Sequence, residues 1–476
     1  MTDPVCAELE NSSASRSLEV DRQFENSSNS LITALAVASI SLFIYGVFYP
    51  GLVNFDTAEM LNQAVMGYCR DWHSPAIVVL WRTLNHVVPG PAGLLGFGLL
   101  LFSAGALCFA QLSTGRLIPC LVLFALLCLW PPLLDDLVLV GKDQLFLVCL
   151  MLFAGLLFAT VRKGRLDRVT LVWLIPLLFA SAAVRQDSGI LLIPGLVLLY
   201  RLPRGSSPGW GWKRAGAMAL ASMLVASVAV KGFNCFVVHA ERDFAIQTTL
   251  VHDLGGIMAQ TDHPLIPSYA DPGFDLATVK QRYSPRTGDP LLFFPNQPSL
   301  RITYDKRQAE ELKSLWIKSV MRYPRAYLQH RFATFTYLLD IKEPVPYQLF
   351  QLDTDLTMHA IYPRLAEINL GNPDNAAIAY YRQSVIPALQ DTPMFRGYAY
   401  DLVILLGMGL ALYRRRPLQD RLILALGSGA LLHQALLFFA SPAALFRYLY
   451  PSVLICLLIA VLTVTRGIES SSRRAS

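Results

Sequence analysis

Charge is what this chain has least of. Only 16% of its 476 residues are Asp, Glu, Lys or Arg, while 54% are hydrophobic. Soluble domains carry about 25% charged residues, so the deficit excludes an ordinary water-soluble fold and points to a polytopic membrane protein. Other absences narrow the chemistry. There is no phosphate-cradling GxxxxGK(S/T) loop, no dinucleotide GxGxxG pattern and no HExxH pair. Nucleotide-driven transport and zinc proteolysis therefore have no sequence support. The eight cysteines show no ligand spacing and fall mostly inside apolar runs, which marks them as free, buried thiols. No internal repeat is evident. The net charge of +6 is not a nucleic-acid footprint, because Lys and Arg gather beside apolar runs.

Long apolar runs are what the sequence has in abundance. A helix needs about 20 apolar residues to cross the hydrocarbon core. Runs at 31–49, 92–112, 117–134, 144–161, 169–184, 188–200, 214–235, 398–413, 421–440 and 445–465 predict an all-α polytopic membrane protein with about ten transmembrane helices. The runs at 169–184 and 188–200 are short and interrupted by proline. Basic segments at 116, 162–168, 201–214, 414–421 and 466–474 all fall on one side of a ten-span arrangement. The positive-inside rule assigns that side, with both termini, to the cytoplasm. Residues 1–30 read as a disordered cytoplasmic tail and not a signal peptide, and 467–476 as a second tail. The sequons at Asn11 and Asn26 are then without meaning.

The opposite side would hold the 50–91 loop, the 131–143 loop, the 185–187 turn and a hydrophilic insert at 236–397, between membrane domains at 31–235 and 398–466. In the first outer loop, 59–70 and 76–88 have helical periodicity but are too short to span. They are expected to lie in the interface, with Trp72 and Trp81 as headgroup-level anchors. In the insert, 306–320 and 326–339 read as helices on either side of Pro324, while 262–300 is Pro-rich and irregular.

The residues able to carry chemistry gather on this outer side. Asp56 lies a few residues past the first span. A carboxylate beside an apolar surface is expected to have a raised pKa and to serve as a general base; the other reading is an N-cap for the following helix. Asp135, Asp136, Lys142 and Asp143 belong to the second outer loop. Adjacent carboxylates at a membrane boundary are costly unless solvated, paired or metal-bound. They read either as solvated charges pairing with Lys142, or as acids that, with Asp56 and Asp136 as ligands, hold Mg²⁺ or Mn²⁺. Arg185 and Arg447 stand at outer span boundaries, either snorkelling to headgroups or gripping a phosphate. His73 is a turn residue, a bridge to that phosphate or a group that orients a carboxylate. His252-Asp253 and His330-Arg331 either line an acceptor side or are plain solvent-facing polar groups, and His433 reads as a hydrogen-bonded core histidine.

These elements resemble the GT-C superfamily, multi-spanning glycosyltransferases that use polyprenyl-phosphate-linked sugars, such as protein mannosyltransferases and lipid A aminoarabinose transferases. The likeness rests on the acidic first outer loop with two interfacial helices, on Tyr49-Pro50-Gly51 with Asp56, on Asp71-Trp72-His73-Ser74-Pro75, on Gly141-Lys142-Asp143, on the Arg185 turn and on Arg447-Tyr448-Leu449-Tyr450-Pro451. The resemblance implies that Asp56 is the catalytic base and that Asp135, Asp136 or Asp143 assists it or binds metal. It further implies that Arg185 or Arg447 holds the lipid phosphate, with His73, Lys142, Asp143 and Tyr448 completing the substrate-binding set. The implied reaction moves a hexosyl or pentosyl group from a polyprenyl-phosphate donor to a periplasmic acceptor: lipopolysaccharide, another cell-envelope glycan or a protein. Two departures stand out, His-Ser-Pro where many relatives have His-Pro-Pro, and a soluble region between the seventh and eighth spans. Two rivals are a transporter or flippase of lipid-linked intermediates, which should show inverted repeats and midplane charges, and a non-catalytic membrane assembly protein.

Overall fold

The computed structural model describes residues 31–114, 116–185, 187–293, 297–342, 361–368, 370, 375–414 and 418–472, with 382 and 466–472 described by backbone alone. The tail at 1–30 with both sequons, residue 186 of the outer turn, residues 343–360 of the insert, Arg415, Arg416 and the last four residues lie outside that set. The chain begins with α1 (Leu31–Phe48). It continues through α2 (Phe55–Met66), α3 (Pro75–Asn85), α4 (Ala92–Thr114), α5 (Leu117–Leu129), α6 (Pro131–Val138), α7 (Lys142–Lys163), α8 (Arg168–Val184), α9 (Ser188–Tyr200) and α10 (Trp212–Gly232). The insert contributes α11 (Gln247–Thr261), α12 (Leu276–Arg282), α13 (Asp289–Leu292), α14 (Lys306–Arg322), α15 (Pro324–Leu338) and two short pieces, α16 (Ala376–Tyr380) and α17 (Ile386–Leu389). Then follow α18 (Gly397–Arg414), α19 (Gln419–Ala440), a 3₁₀ turn at Phe446–Leu449 and α20 (Tyr450–Ser472). Among the described residues, extended pairing is limited to isolated bridges.

This is an all-α polytopic membrane protein. Among the described residues, six helices are long and apolar enough to span a bilayer, or seven if the bent α5–α6 pair is one span. The runs expected at 169–184, 188–200 and 398–413 are helical but are not among the six. For α9 the reason is length: its 13 residues rise about 20 Å, against a hydrocarbon core of about 30 Å. The run expected at 117–134 is not one helix. Pro131 and Pro132 occupy the first turn of α6, Trp130 between the helices is extended, and the axes differ by 63°. Proline at a helix start is tolerated because its missing N–H has no intrahelical partner there, whereas within a continuous helix it breaks the ladder.

The two helices of the first outer loop form as expected, with caps that correct one reading. Asn54, not Asp56, caps α2, its Oδ1 accepting from the Thr57 amide at 2.9 Å. Asp56 is left in the first turn, where a negative charge suits the helix dipole. Ser74 caps α3, with Pro75 following it. Trp81 is not a headgroup anchor: it is fully buried and its Nε1 donates to the Gly90 carbonyl at 2.9 Å.

The main apolar core runs from Ile44 of α1 to Leu462 of α20. Close helix approach depends on glycine. A Cβ on Gly429 of α19 would lie 2.3 Å from the Leu191 carbonyl oxygen of α9, so these backbones meet only because that position has no side chain. The insert has a separate core including Leu250, Leu254, Met258, Val279, Leu291 and Leu312. Both expected helices of the insert are present as α14 and α15, and 262–300 is largely irregular apart from α12 and α13.

Candidate functional site

Four segments converge at one end of the membrane helices. Asp56 comes from α2, Lys142 and Asp143 from the first turn of α7, Arg185 and Asp187 from the α8–α9 connection, and Arg447 with Tyr448 from the 3₁₀ turn before α20. Asp56 Oδ2 is shared by Lys142 Nζ at 3.1 Å and Arg447 Nη1 at 3.1 Å. Arg447 Nη1 also lies 4.0 Å from Asp143 Oδ2, and Asp143 pairs through its other oxygen with Arg185. Arg185 holds Asp187 with both ends of its fork, Nε to Oδ1 at 2.9 Å and Nη2 to Oδ2 at 2.7 Å. The Tyr448 ring lies between the two guanidiniums, each Cζ being 5.5 Å from its centroid. Three cations thus alternate with three carboxylates, and Asp56 and Lys142 keep about a quarter of their side-chain surface exposed, 26% and 24%.

His73 joins the chain of contacts. Its Nε2 faces Glu59 Oε2 at 3.2 Å and its Nδ1 faces Lys142 Nζ at 3.3 Å. It is therefore more than a turn residue, and Glu59 is a partner that sequence reasoning did not single out. Asp187 was likewise noted only as part of a turn, yet its Oδ2 also meets His433 Nε2 at 3.4 Å. Two opposite charges two residues apart between apolar runs are the signal that could have found it. His433 is a hydrogen-bonded core histidine, as expected. A small cleft opens beside Asp56, lined by Thr57, Met60, Leu139, Gly141, Lys142 and Arg447 among others.

Asp135 and Asp136 differ from their expected setting. They are not solvated loop charges pairing with Lys142; both sit on α6 at 1% exposure. Asp135 accepts from the Tyr450 hydroxyl at 2.6 Å. Neither carboxyl oxygen of Asp136 has a hydrogen-bond partner among the described residues. An unpartnered buried acid is costly. Its oxygens lie within electrostatic reach of Asp143, Asp135, Arg185 and Arg447, so it backs the ion-pair chain from inside the helix bundle.

The electrostatics of Asp56 also reverse one expectation. Burial does push its carboxyl upward, but Lys142, Arg447 and His73 outweigh it and hold the group well below the usual carboxylate range. In this resting arrangement Asp56 is a firmly ionised anion, not a base poised near neutrality. The same pairing bears on Mg²⁺ or Mn²⁺. The carboxylates of Asp56 and Asp143 are already engaged by Lys142, Arg447 and Arg185, so a divalent ion would have to displace those cations. Among the described residues, no group of three His, Cys, Asp or Glu side chains is placed to hold a metal.

His252-Asp253 and His330-Arg331 are neither solvent-facing nor part of this cluster. All four are fully buried in the insert. Asp253 Oδ2 accepts from Trp316 Nε1 at 2.8 Å and from Arg331 Nη2 at 2.8 Å, its Oδ1 lies 2.7 Å from Arg331 Nε as an ion pair, and Arg331 Nη1 donates to the Ser441 carbonyl at 2.7 Å. The Ala444 amide donates to the Arg286 carbonyl at 2.6 Å. The insert thereby grips the 441–444 segment that leads to Arg447. Asp71 ties the first outer loop to the insert in the same way, accepting from the Asp243 amide at 2.6 Å. Beside it, Arg70 Nε donates to Asp243 Oδ1 at 2.9 Å.

Fold and site together define a multi-pass α-helical membrane protein with an ion-paired cleft at one end of its helix bundle. No family model matches the sequence, and no curated protein matches it.

Proposed function

We propose that this chain is a GT-C-type glycosyltransferase of the bacterial inner membrane that moves a sugar from a polyprenyl-phosphate donor to a periplasmic acceptor. In this reading α8, α9 and α18 complete ten spans, both termini are cytoplasmic, and the Asp56 cleft faces the periplasm. The observation that carries it is the sharing of one Asp56 oxygen by Lys142 and Arg447, both at 3.1 Å, at a partly exposed position beside an apolar bundle. A lipid phosphate is the natural competitor for those two cations. As it draws Arg447 and Lys142 away, Asp56 loses what holds its carboxyl ionised, and its proton affinity rises.

The step then balances simply. Asp56 takes the proton of the acceptor hydroxyl, the acceptor oxygen bonds to the anomeric carbon, and the bond from that carbon to the phosphate oxygen breaks. The electron pair leaves on polyprenyl phosphate, stabilised by Arg447 and Lys142. A single displacement inverts the anomeric centre. Arg185, bound to Asp143 and Asp187, positions the second row of charges. Because Lys142, Arg447 and Arg185 already engage Asp56 and Asp143, EDTA should leave transfer unchanged; an EDTA-sensitive activity restored by Mg²⁺ would overturn that part.

The test is Asp56→Asn, which is isosteric. Surface glycolipids and glycoproteins of the variant strain, read by mass spectrometry against a deletion strain, should match the deletion, with transfer down by about 100-fold or more. A parent-like glycan profile with normal amounts of the protein would remove the assignment. A transporter reading finds support in the buried His433–Asp187 contact at 3.4 Å; it requires that substrate cross the membrane with its sugar–phosphate bond intact.

A further inference from the structure

The cations of the Asp56 cleft have carboxylate partners, but at the opposite end of α9 a second basic group has none among the described residues. The connection between α9 and α10 carries Arg201, Arg204, Lys213 and Arg214, and no Asp or Glu occurs between Asp187 and Glu241. In place of acids there are indoles. Arg204 Cζ lies 3.8 Å and Arg214 Cζ 4.5 Å from the centroid of Trp210, so two guanidiniums share one ring. Arg201 Cζ lies 3.6 Å from the centroid of Trp212. The turn is preformed: Arg204 and Ser207 exchange backbone hydrogen bonds at 3.0 and 2.9 Å, and the Leu166 amide donates to the Pro203 carbonyl at 2.8 Å. A Cβ on Gly209 would lie 1.7 Å from the Arg201 carbonyl oxygen, so only glycine lets the strand to Trp210 close over it.

One donor is left over. Arg204 Nη2 reaches the Tyr200 carbonyl at 3.3 Å, but Nη1 is buried without a hydrogen-bond partner. Two guanidiniums on one indole repel each other, and a buried unpaired N–H is costly. A phosphate held against the pair would offset that repulsion. The flank indicates its source. Trp212 is 66% exposed, and beyond it Leu220, Leu224 and Val228 are also exposed along α10, a lipid-facing apolar strip that a soluble anion would not use.

We propose that the Arg–Trp turn at 201–214 binds the phosphate headgroup of an anionic membrane phospholipid, with its acyl chains along α10. The site lies about 20 Å along α9 from the Asp56 cleft and does not depend on the glycosyltransferase reading.

Native mass spectrometry of the full chain in detergent, offered dioleoylphosphatidylglycerol or dioleoylphosphatidylcholine, tests this. The parent should retain phosphatidylglycerol preferentially, and Arg204→Gln/Arg214→Gln should cut that preference roughly tenfold. Arg204→Lys/Arg214→Lys should lose part of it, because an ammonium lacks the planar fork. Equal retention of the two lipids by the parent overturns the proposal, as does an undiminished preference in the Gln pair. If the Gln pair fails to fold, Arg201→Gln, at the more exposed indole, takes its place with the same two outcomes. Displacement of the lipid by millimolar inorganic phosphate would reassign the site to a soluble anion.

Discussion

Two influences of opposite sign act on Asp56, and their balance decides what the residue is. Burial favours the neutral acid, while Lys142 and Arg447 favour the anion and prevail. His252 shows the other case. Burial, reinforced by His330 and Arg331, overcomes the hydrogen bond to Ser284 and the nearby Asp253, and its pKa falls from 6.5 to about 3. The unfolded chain then binds the extra proton, so the stability contributed by neutral His252 is complete above its ordinary pKa and is lost as pH falls toward about 3. Near pH 5 the loss should be about 2 kcal/mol. Hydrogen exchange across α11 to α15 should therefore speed up between pH 7.5 and pH 5, and His252→Gln should flatten that dependence. An exchange pattern independent of pH in the parent would contradict it.

At the scale of elements, the site depends on helices brought close by small residues. Gly429 lets α19 meet the α9 backbone at Leu191, and one turn further along α19 His433 reaches Asp187 at the start of α9. Gly429→Ala should force the two helices apart, costing about 1–3 kcal/mol, and should draw His433 from Asp187. Gly409→Ala, where a Cβ would meet nothing within 4 Å, is the control and should be neutral. Thermal unfolding in detergent reads both; equal midpoints for the two variants would show that the α9–α19 approach is not tight. The break before α6 belongs to this scale too. Two prolines and an extended Trp130 turn what reads as one span into two helices, and that turn buries Asp135 and Asp136 in the bundle.

For the whole molecule, the insert is tied to the first outer loop through Asp71 and Arg70 with Asp243, and to the segment before α20 through Arg331 with Ser441 and Arg286 with Ala444. The second leads directly to Arg447. On the proposed glycosyltransferase reading, Arg331→Met should keep the insert bound through the Asp71 contact yet loosen the 441–447 segment, raising KM for the lipid donor more than it lowers kcat. A variant that lowers kcat alone would show that the segment is positioned without Arg331. The two charged ends of the bundle should also lie on opposite sides of the bilayer, because α7 alone, at 22 residues, rises about 33 Å. An impermeant maleimide should label a cysteine placed at exposed Asp262 from outside, and one at exposed Arg165 only after permeabilisation. Labelling of both from one side would overturn the ten-span arrangement.

Hydropathy and helical period are properties of neighbouring residues, and so the sequence alone determined that this is an α-helical membrane protein, with two helices in the first outer loop and two more around Pro324. It also placed Asp56, Lys142, Asp143, Arg185 and Arg447 at the same kind of boundary. Only packing decided who pairs with whom. Asp56 and Arg447 are 391 positions apart, and no local pattern encodes the contact that lowers the proton affinity of Asp56. The same holds for the buried Asp253–Arg331 grip and for the two guanidiniums on Trp210. Each arises because a charge removed from water must find a partner in space, and the fold, not chain proximity, determines which partner is within reach.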